Sequence, residues 1–370
     1  MRRRLLERIG TDQDDIVPGA QQQTRTNESA DPGTDHYYTH PSNPDIGTVS
    51  ALAAAPGPRP ADKSRRPSTS YLVETKSQEK GAAMSDPKTY TLDVPGAVLT
   101  YDVRSNESST EPVLLIIGSP MAASGFVTLA GHFGDRTVVT YDPRGCERSK
   151  LTQDTAENTP DEHADDLHRL IAALDAGPVD VFASSGGAVN GLALVAKHPE
   201  QVRTLVAHEP PASQEVPDRE QILAVCENIH QTYLSSGFGP AMAKFIALVM
   251  HQGLVPDGFA DQPVDPAMFG LPAEDDGSRN DPLVGRNIVS CNTYHHDFDA
   301  LRNASTRIVL GVGAKSGQTL AARTGTAVAE RLGITPTTFP GDHGGFLGGE
   351  YGQTGEPDVF AATLREVLGT

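Results

Sequence analysis

The stretch VDVFASSGGAVNGL (179–192) holds the first sign of chemistry. An apolar run stops at five small residues, Ala183 to Gly187, and an apolar pattern with helical spacing follows. A strand that turns directly into a helix needs small flanking residues, because larger side chains clash with neighbouring strands. The residue at the apex sits in strained backbone and projects outward. It also lies at a helix N-terminus, where free N–H groups favour developing negative charge. The pattern small-x-Ser-x-small is that of a nucleophile elbow. Centred on Ser185, its flanks are Ala183 and Gly187. Centred on Ser184, they would be Phe182 and Gly186, and Phe182 is too large. Ser185 is therefore the candidate nucleophile. The competing reading is an ordinary strand-to-helix turn, with serine as cap and glycine for packing. Dinucleotide binding is disfavoured, because Gly186, Gly187 and Gly191 do not make GxGxxG.

A serine nucleophile needs a base. His343 lies in FPGDHGGFLGG (339–349), a glycine-lined loop after the last expected strand and before the last helix. That order suits a general base. His163 and His168 fall in an expected helix and read as solvated; His198 falls at a helix end. An oxyanion hole needs backbone N–H groups aimed at the developing charge. Gly186 supplies one. The loop IIGSPMAASGF (116–126) offers a second.

These residues must be positioned by a framework. YTLDV and AVLTYDV alternate apolar and polar residues around a Pro-Gly turn, as half-buried antiparallel strands do. PVLLIIG (112–118) is continuously apolar, as a parallel strand covered on both faces must be. A short helix in GFVTLAGHFG and a strand at TVVTYD follow. Thr159 and Pro160 predict a helix start; Ala164, Leu167, Leu170, Ile171 and Leu174 form its apolar stripe, and Gly177 its end. Strands are expected at 179–183, 202–208 and 307–313, and in PTTFPG. Helices are expected after the elbow, from Leu320 to Leu332 before Gly333, and from Pro357 onward. Residues 212–303 interrupt the alternation as a mostly helical insertion. The plan is α/β, a doubly wound and mostly parallel sheet with an inserted helical cap. Ligands of such sheets bind beyond the carboxyl ends of the strands, where the unusual residues fall.

The whole chain has 370 residues, is 37% apolar and carries a net charge of −18. Residues 1–83 hold 11 basic and 11 acidic residues and few apolar clusters, so the charge imbalance falls on the remainder. We expect a disordered N-terminal extension over 1–84 and one domain over 85–370, with its cap at about 212–303. Met84 is a plausible alternative start. The acidic balance disfavours nucleic acid as a partner. No stretch is long and apolar enough to span a membrane or to serve as a signal peptide. Cys146, Cys226 and Cys291 are widely spaced, which suits neither a zinc site nor a disulfide framework. A cytoplasmic protein without metal or cofactor, acting on a small molecule, is expected; its oligomeric state is open. The loop GVGAKSG lacks the phosphate-loop glycines, having Val309 and Ala314 instead.

Taken in order, the elbow, IGSP (117–120), YDPRGCERS (141–149) and HPEQVRTLVAHEPP (198–211) make residues 90–370 resemble the α/β-hydrolase fold superfamily, in its serine-nucleophile branch. IGSP resembles the HGxP loop of that superfamily, with Ile in place of His, and that resemblance implies the Ser119 N–H as the second oxyanion donor, since Pro120 has none. The resemblance implies Ser185 as nucleophile, His343 as base and an acyl-enzyme, and the absence of an apical aspartate sets the chain apart from haloalkane dehalogenases and epoxide hydrolases. It also exposes a departure. Most members carry an aspartate where this chain reads GVGAKSGQT, with no carboxylate. Some place the acid one strand earlier, where this chain has Glu209; Asp297 and Asp299 are alternatives, and Asp342 adjoins the histidine too closely. The leading expectation is an esterase-like hydrolase of a small, mostly apolar substrate. Phe238, Met242, Phe245, Met250, Phe259 and Met268 either line its pocket or pack the cap. A non-catalytic binding protein and a haloperoxidase or carbon–carbon hydrolase are the alternatives.

Overall fold

The computed structural model describes residues 86–370. The expected extension over 1–84 lies outside the described residues. The strands are β1 (Lys88–Val94), β2 (Ala97–Arg104), β3 (Leu114–Ile117), β4 (Val138–Asp142), β5 (Lys150–Leu151), β6 (Val179–Ser184), β7 (Val202–His208), β8 (Arg307–Gly313) and β9 (Thr337–Phe339). They form one sheet in the order β1-β2-β4-β3-β6-β7-β8-β9, with β5 on β2. The pairs β1–β2, β2–β4 and β2–β5 are antiparallel, and the rest are parallel. This is the expected doubly wound sheet. The strand order turns back at β3, so the crevice above β3 and β6 is the switch point where such sheets bind ligands.

The helices are α1 (Val127–Gly131), α2 (Pro160–Leu174), α3 (Gly186–Lys197), α4 (Arg219–Ser236), α5 (Phe238–Met250), α6 (Ile288–Thr293), α7 (Phe298–Asn303), α8 (Leu320–Leu332) and α9 (Pro357–Leu368). Alternate residues of each central strand face opposite layers. Leu115, Ile117, Val181 and Ala183 bury against α2 and α3 through Leu167, Leu170, Ala188 and Leu192. Leu114, Ile116 and Phe182 bury against α1 and α9 through Leu129, Phe360 and Leu364. Continuous apolar strands are the direct result of this two-sided cover.

Helix α2 starts as expected. Thr159 accepts from the Glu162 N–H, Glu162 reaches back to the Thr159 N–H, and Pro160 opens the first turn. It stops earlier than expected, at Leu174, because Asp175 takes the left-handed conformation at φ 47 and ends the helix before Gly177. His163 is buried, not solvated. It lies four residues before Leu167 and seven before Leu170, on the apolar stripe itself. His168 stacks on the His198 ring at 3.8 Å between centroids.

Between β7 and β8 lie α4, α5, a π-helical turn (Leu283–Asn287), α6 and α7. Helices α4 and α5 share a small core around Ile222, Val225, Ile229 and Leu248. Phe238, Met242, Phe245 and Phe259 pack against it, whereas Met250 and Met268 face solvent. Helix α7 belongs to the main body, since Phe298 and Leu301 join the core under α3. The insertion is pinned by a bidentate pair in which Arg323 donates to both oxygens of Asp218 at 2.8 Å. Among the described residues no helix is long and apolar enough to cross a membrane.

Candidate active site

Strand β6 passes straight into α3 through Ser185, whose φ of 56 and ψ of −128 no ordinary helix or strand uses. A non-glycine residue there stores strain, and such strain gathers at functional sites. The Ser185 N–H donates to the His208 carbonyl at 3.0 Å, so the elbow leans on the end of β7. Its small neighbours have specific causes. A Cβ on Gly186 would lie 2.5 Å from the Ser119 carbonyl oxygen. One on Gly187 would lie 2.7 Å from Gly118 Cα. The elbow and the loop after β3 therefore touch backbone to backbone, with Ser119 and Gly186 side by side. Neither the Ser119 nor the Gly186 N–H is engaged by another described backbone group. Asp142, at the end of β4, holds that loop by accepting from the Ala123 N–H at 3.1 Å, and Arg148 fixes Asp142 in turn. This is the structural job of the YDPRG segment.

Glu209 directly follows β7 and is fully buried, with left-handed backbone at φ 49. Its Oε1 accepts from the Gly313 N–H at 2.8 Å, and its Oε2 lies 2.7 Å from His343 Nδ1. Burial alone would raise the carboxyl pKa. The hydrogen bond and charge of His343 outweigh it, with help from His208 and Ser316, and hold the group at about 2. The Ser316 hydroxyl faces the carboxylate without a well-formed hydrogen bond. An ionised carboxylate only accepts, so the His343 Nδ1 carries a proton. Neutral His343 then keeps a lone pair on Nε2. The His343 side chain is 45% exposed and Ser185 is partly exposed. No hydrogen bond joins the two among the described residues.

The other carboxylates are occupied elsewhere. Asp297 caps α7 by accepting from the Ala300 N–H, and Asp299 pairs with Arg302 at the surface. Asp342 accepts from the Gly344 N–H within its own turn. Lys315, in the loop after β8, pairs with Glu356 at 2.6 Å.

Sequence reasoning missed two residues at this site. His208 ends β7, its ring 6.1 Å from that of His343. A histidine closing an apolar strand beside Glu209 was the available signal. Asn287, in the π-helical turn, donates from Nδ2 to Ser119 Oγ at 3.3 Å and ties the insertion to the loop after β3. Nothing in PLVGRN marks it.

Residues 111–297 match the family model described as alpha/beta hydrolase fold. The chain is 32% identical over 266 residues to the uncharacterized hydrolase YraK of Bacillus subtilis, covering 69% of this chain and 89% of that protein. Its fold is similar to the enol-lactonase of Burkholderia xenovorans, with a TM-score of 0.54 at 16% identity over 76% of this chain and all of that one. A thermophilic esterase of Thermogutta terrifontis gives a TM-score of 0.52 at 20% identity, over 77% of this chain and 98% of that one.

Proposed function

The chain belongs to the α/β-hydrolase fold family, and from that premise we propose that it is a serine hydrolase of small, mostly apolar esters or related carbonyl compounds. The observation that carries this reading is the buried Glu209 carboxylate 2.7 Å from His343 Nδ1, beside a serine in left-handed backbone at a helix start. His343 Nε2 takes the Ser185 proton as Oγ attacks the substrate carbonyl. The Ser119 and Gly186 N–H groups receive the charge that gathers on the carbonyl oxygen. His343 passes its proton to the leaving alcohol, and an acyl-enzyme remains. Water then attacks the acyl carbon, giving its proton to His343, and His343 returns that proton to Ser185 Oγ as the bond to the acyl carbon breaks and the carboxylic acid departs. Glu209 orients the imidazole and stabilises its cation throughout. Hydrogen bonds between nucleophile and base commonly tighten only with substrate in place.

A non-catalytic binding role drew its support from the missing acid after β8, and the Glu209–His343 pair removes that support. The three cysteines are free, and we assign the protein to a reducing, cytoplasmic compartment. The test of catalysis is labelling by a fluorophosphonate. Wild-type protein is expected to label at Ser185, and Ser185→Ala and His343→Ala to remain unlabelled. A folded wild-type protein that resists the probe and hydrolyses no p-nitrophenyl ester overturns the reading.

A further inference from the structure

His208 takes no part in the steps above. Its ring is fully buried, and neither ring nitrogen has a hydrogen-bond partner. Phe182, Phe339, Phe346 and Phe360 surround it, the nearest ring centroid being 5.3 Å away. A buried polar group left unpaired is costly, and such an orphan often marks the place of a water or an ion.

His296 is likewise buried with unpaired ring nitrogens, and buried His163 faces the Asn287 side chain. His208 differs in its company. One donor atom each from His208, Glu209 and His343 lies within 4.8 Å of the others. No other trio of histidine, cysteine, aspartate and glutamate donors is grouped this closely among the described residues. Two imidazoles and a carboxylate suit a borderline divalent cation, zinc above all. Bonds of about 2.0–2.2 Å would draw the donors inward by small side-chain shifts. The Gly313 N–H already anchors the far oxygen of Glu209, and exposed His343 offers the way in.

We propose that His208, Glu209 and His343 form a divalent-cation site of the zinc type, and that filling it switches the hydrolase off. The site stands on geometry; the switching rests on the reading of His343 as base. A cation bound to His343 Nδ1 forces the remaining imidazole proton onto Nε2. The lone pair that would accept the Ser185 proton is then gone. A neutral His343 moves its proton from Nδ1 to Nε2 and releases none, whereas an imidazolium releases one. Glu209 spends its charge on the cation.

Metal-stripped full-length protein is titrated with Co²⁺, then with Zn²⁺. A saturable visible cobalt spectrum without a thiolate charge-transfer band is expected, and zinc should displace it. Ester turnover should fall in step with zinc occupancy and return on chelation. His208→Phe, which suits the aromatic surroundings, should weaken zinc binding at least ~100-fold, since supporting residues alone contribute 10- to 100-fold. Inhibition is judged against the variant's own metal-free rate. Glu209→Gln provides a second variant with the same expected loss of binding. Ser185→Ala should bind Co²⁺ like the wild type while turning over nothing. Absence of a saturable spectrum in the wild type, or unchanged affinity in both binding variants, overturns the site. Turnover without cobalt binding sinks this inference and leaves the hydrolase standing. A His208-dependent cobalt spectrum in a protein with no turnover sinks the hydrolase and keeps the site.

Discussion

His343 Nδ1 and Glu209 Oε2 meet at 2.7 Å although 134 positions separate them in the chain. In the proposed mechanism Glu209 takes the role of a carboxylate after β8. Glu209→Gln should lower kcat by about 10³–10⁴-fold, because an amide no longer enforces the required tautomer. Asp297→Asn and Asp299→Asn should leave turnover unchanged, since one caps a helix and the other pairs with Arg302. Steady-state ester hydrolysis decides it: full activity in Glu209→Gln removes that residue from the mechanism.

The two elbow glycines should fail differently. A methyl at 186 pushes the Ser119 carbonyl away and spreads the two proposed oxyanion donors apart. Gly186→Ala should lose about 10²–10³ in kcat with little change in KM. A methyl at 187 meets Gly118 Cα, Gly118 C and the Ile117 carbonyl, all within 2.9 Å and all backbone. Gly187→Ala should lose about 1–3 kcal/mol of stability, read from its urea midpoint. An alanine at 187 that matches the wild-type midpoint contradicts the packing described.

Asn287 reaches Ser119 from the inserted segment, and its loss should be felt at the loop after β3. Asn287→Ala leaves a buried hydroxyl without its donor, at about 1–3 kcal/mol. Because that hydroxyl belongs to the residue whose N–H is proposed to stabilise the reacting carbonyl, kcat should fall more than KM rises. Equal changes in both would assign Asn287 to substrate binding instead.

Acid should unfold the protein through its buried histidines. Burial, the largest influence on each, lowers His163 to about 3 and His208 and His296 to about 4. Unfolded histidine binds a proton near pH 6.5. Between those values the unfolded chain holds protons that the folded chain refuses, so stability rises with pH. It should be complete above about pH 6.5 and fall toward pH 4, at up to ~1.4 kcal/mol per unit for each histidine. Glu209, held at about 2 when folded, adds a further loss below its unfolded value. His208→Phe should flatten the slope. Denaturant midpoints that do not move between pH 7 and pH 5 would refute this.

The strands and most helices were legible because two-sided burial writes itself as unbroken apolar runs. The choice of Ser185 over Ser184 rested on the bulk of Phe182, and that ring is packed among Phe346, Phe360 and His208. His163 was misread, although its spacing to Leu167 and Leu170 places it on the buried stripe. The end of α2 was misread because Asp175 adopts a backbone that Gly177 seemed reserved for. Partnership at the site was harder to see. Glu209 meets Gly313 only through the parallel register of β7 with β8, and it meets His343 only through the course of a long glycine loop. Local sequence carries neither distance. Asn287 lies in a turn with no period at all.

The Ser185 N–H hangs on the His208 carbonyl, one residue before Glu209. The proposed nucleophile and acid therefore ride on neighbouring strands of one sheet and share a single rung. His343 alone arrives from a separate loop. Warming should thus disarm the protein before it melts, by letting the imidazole drift from a serine and a carboxylate that stay fixed to each other.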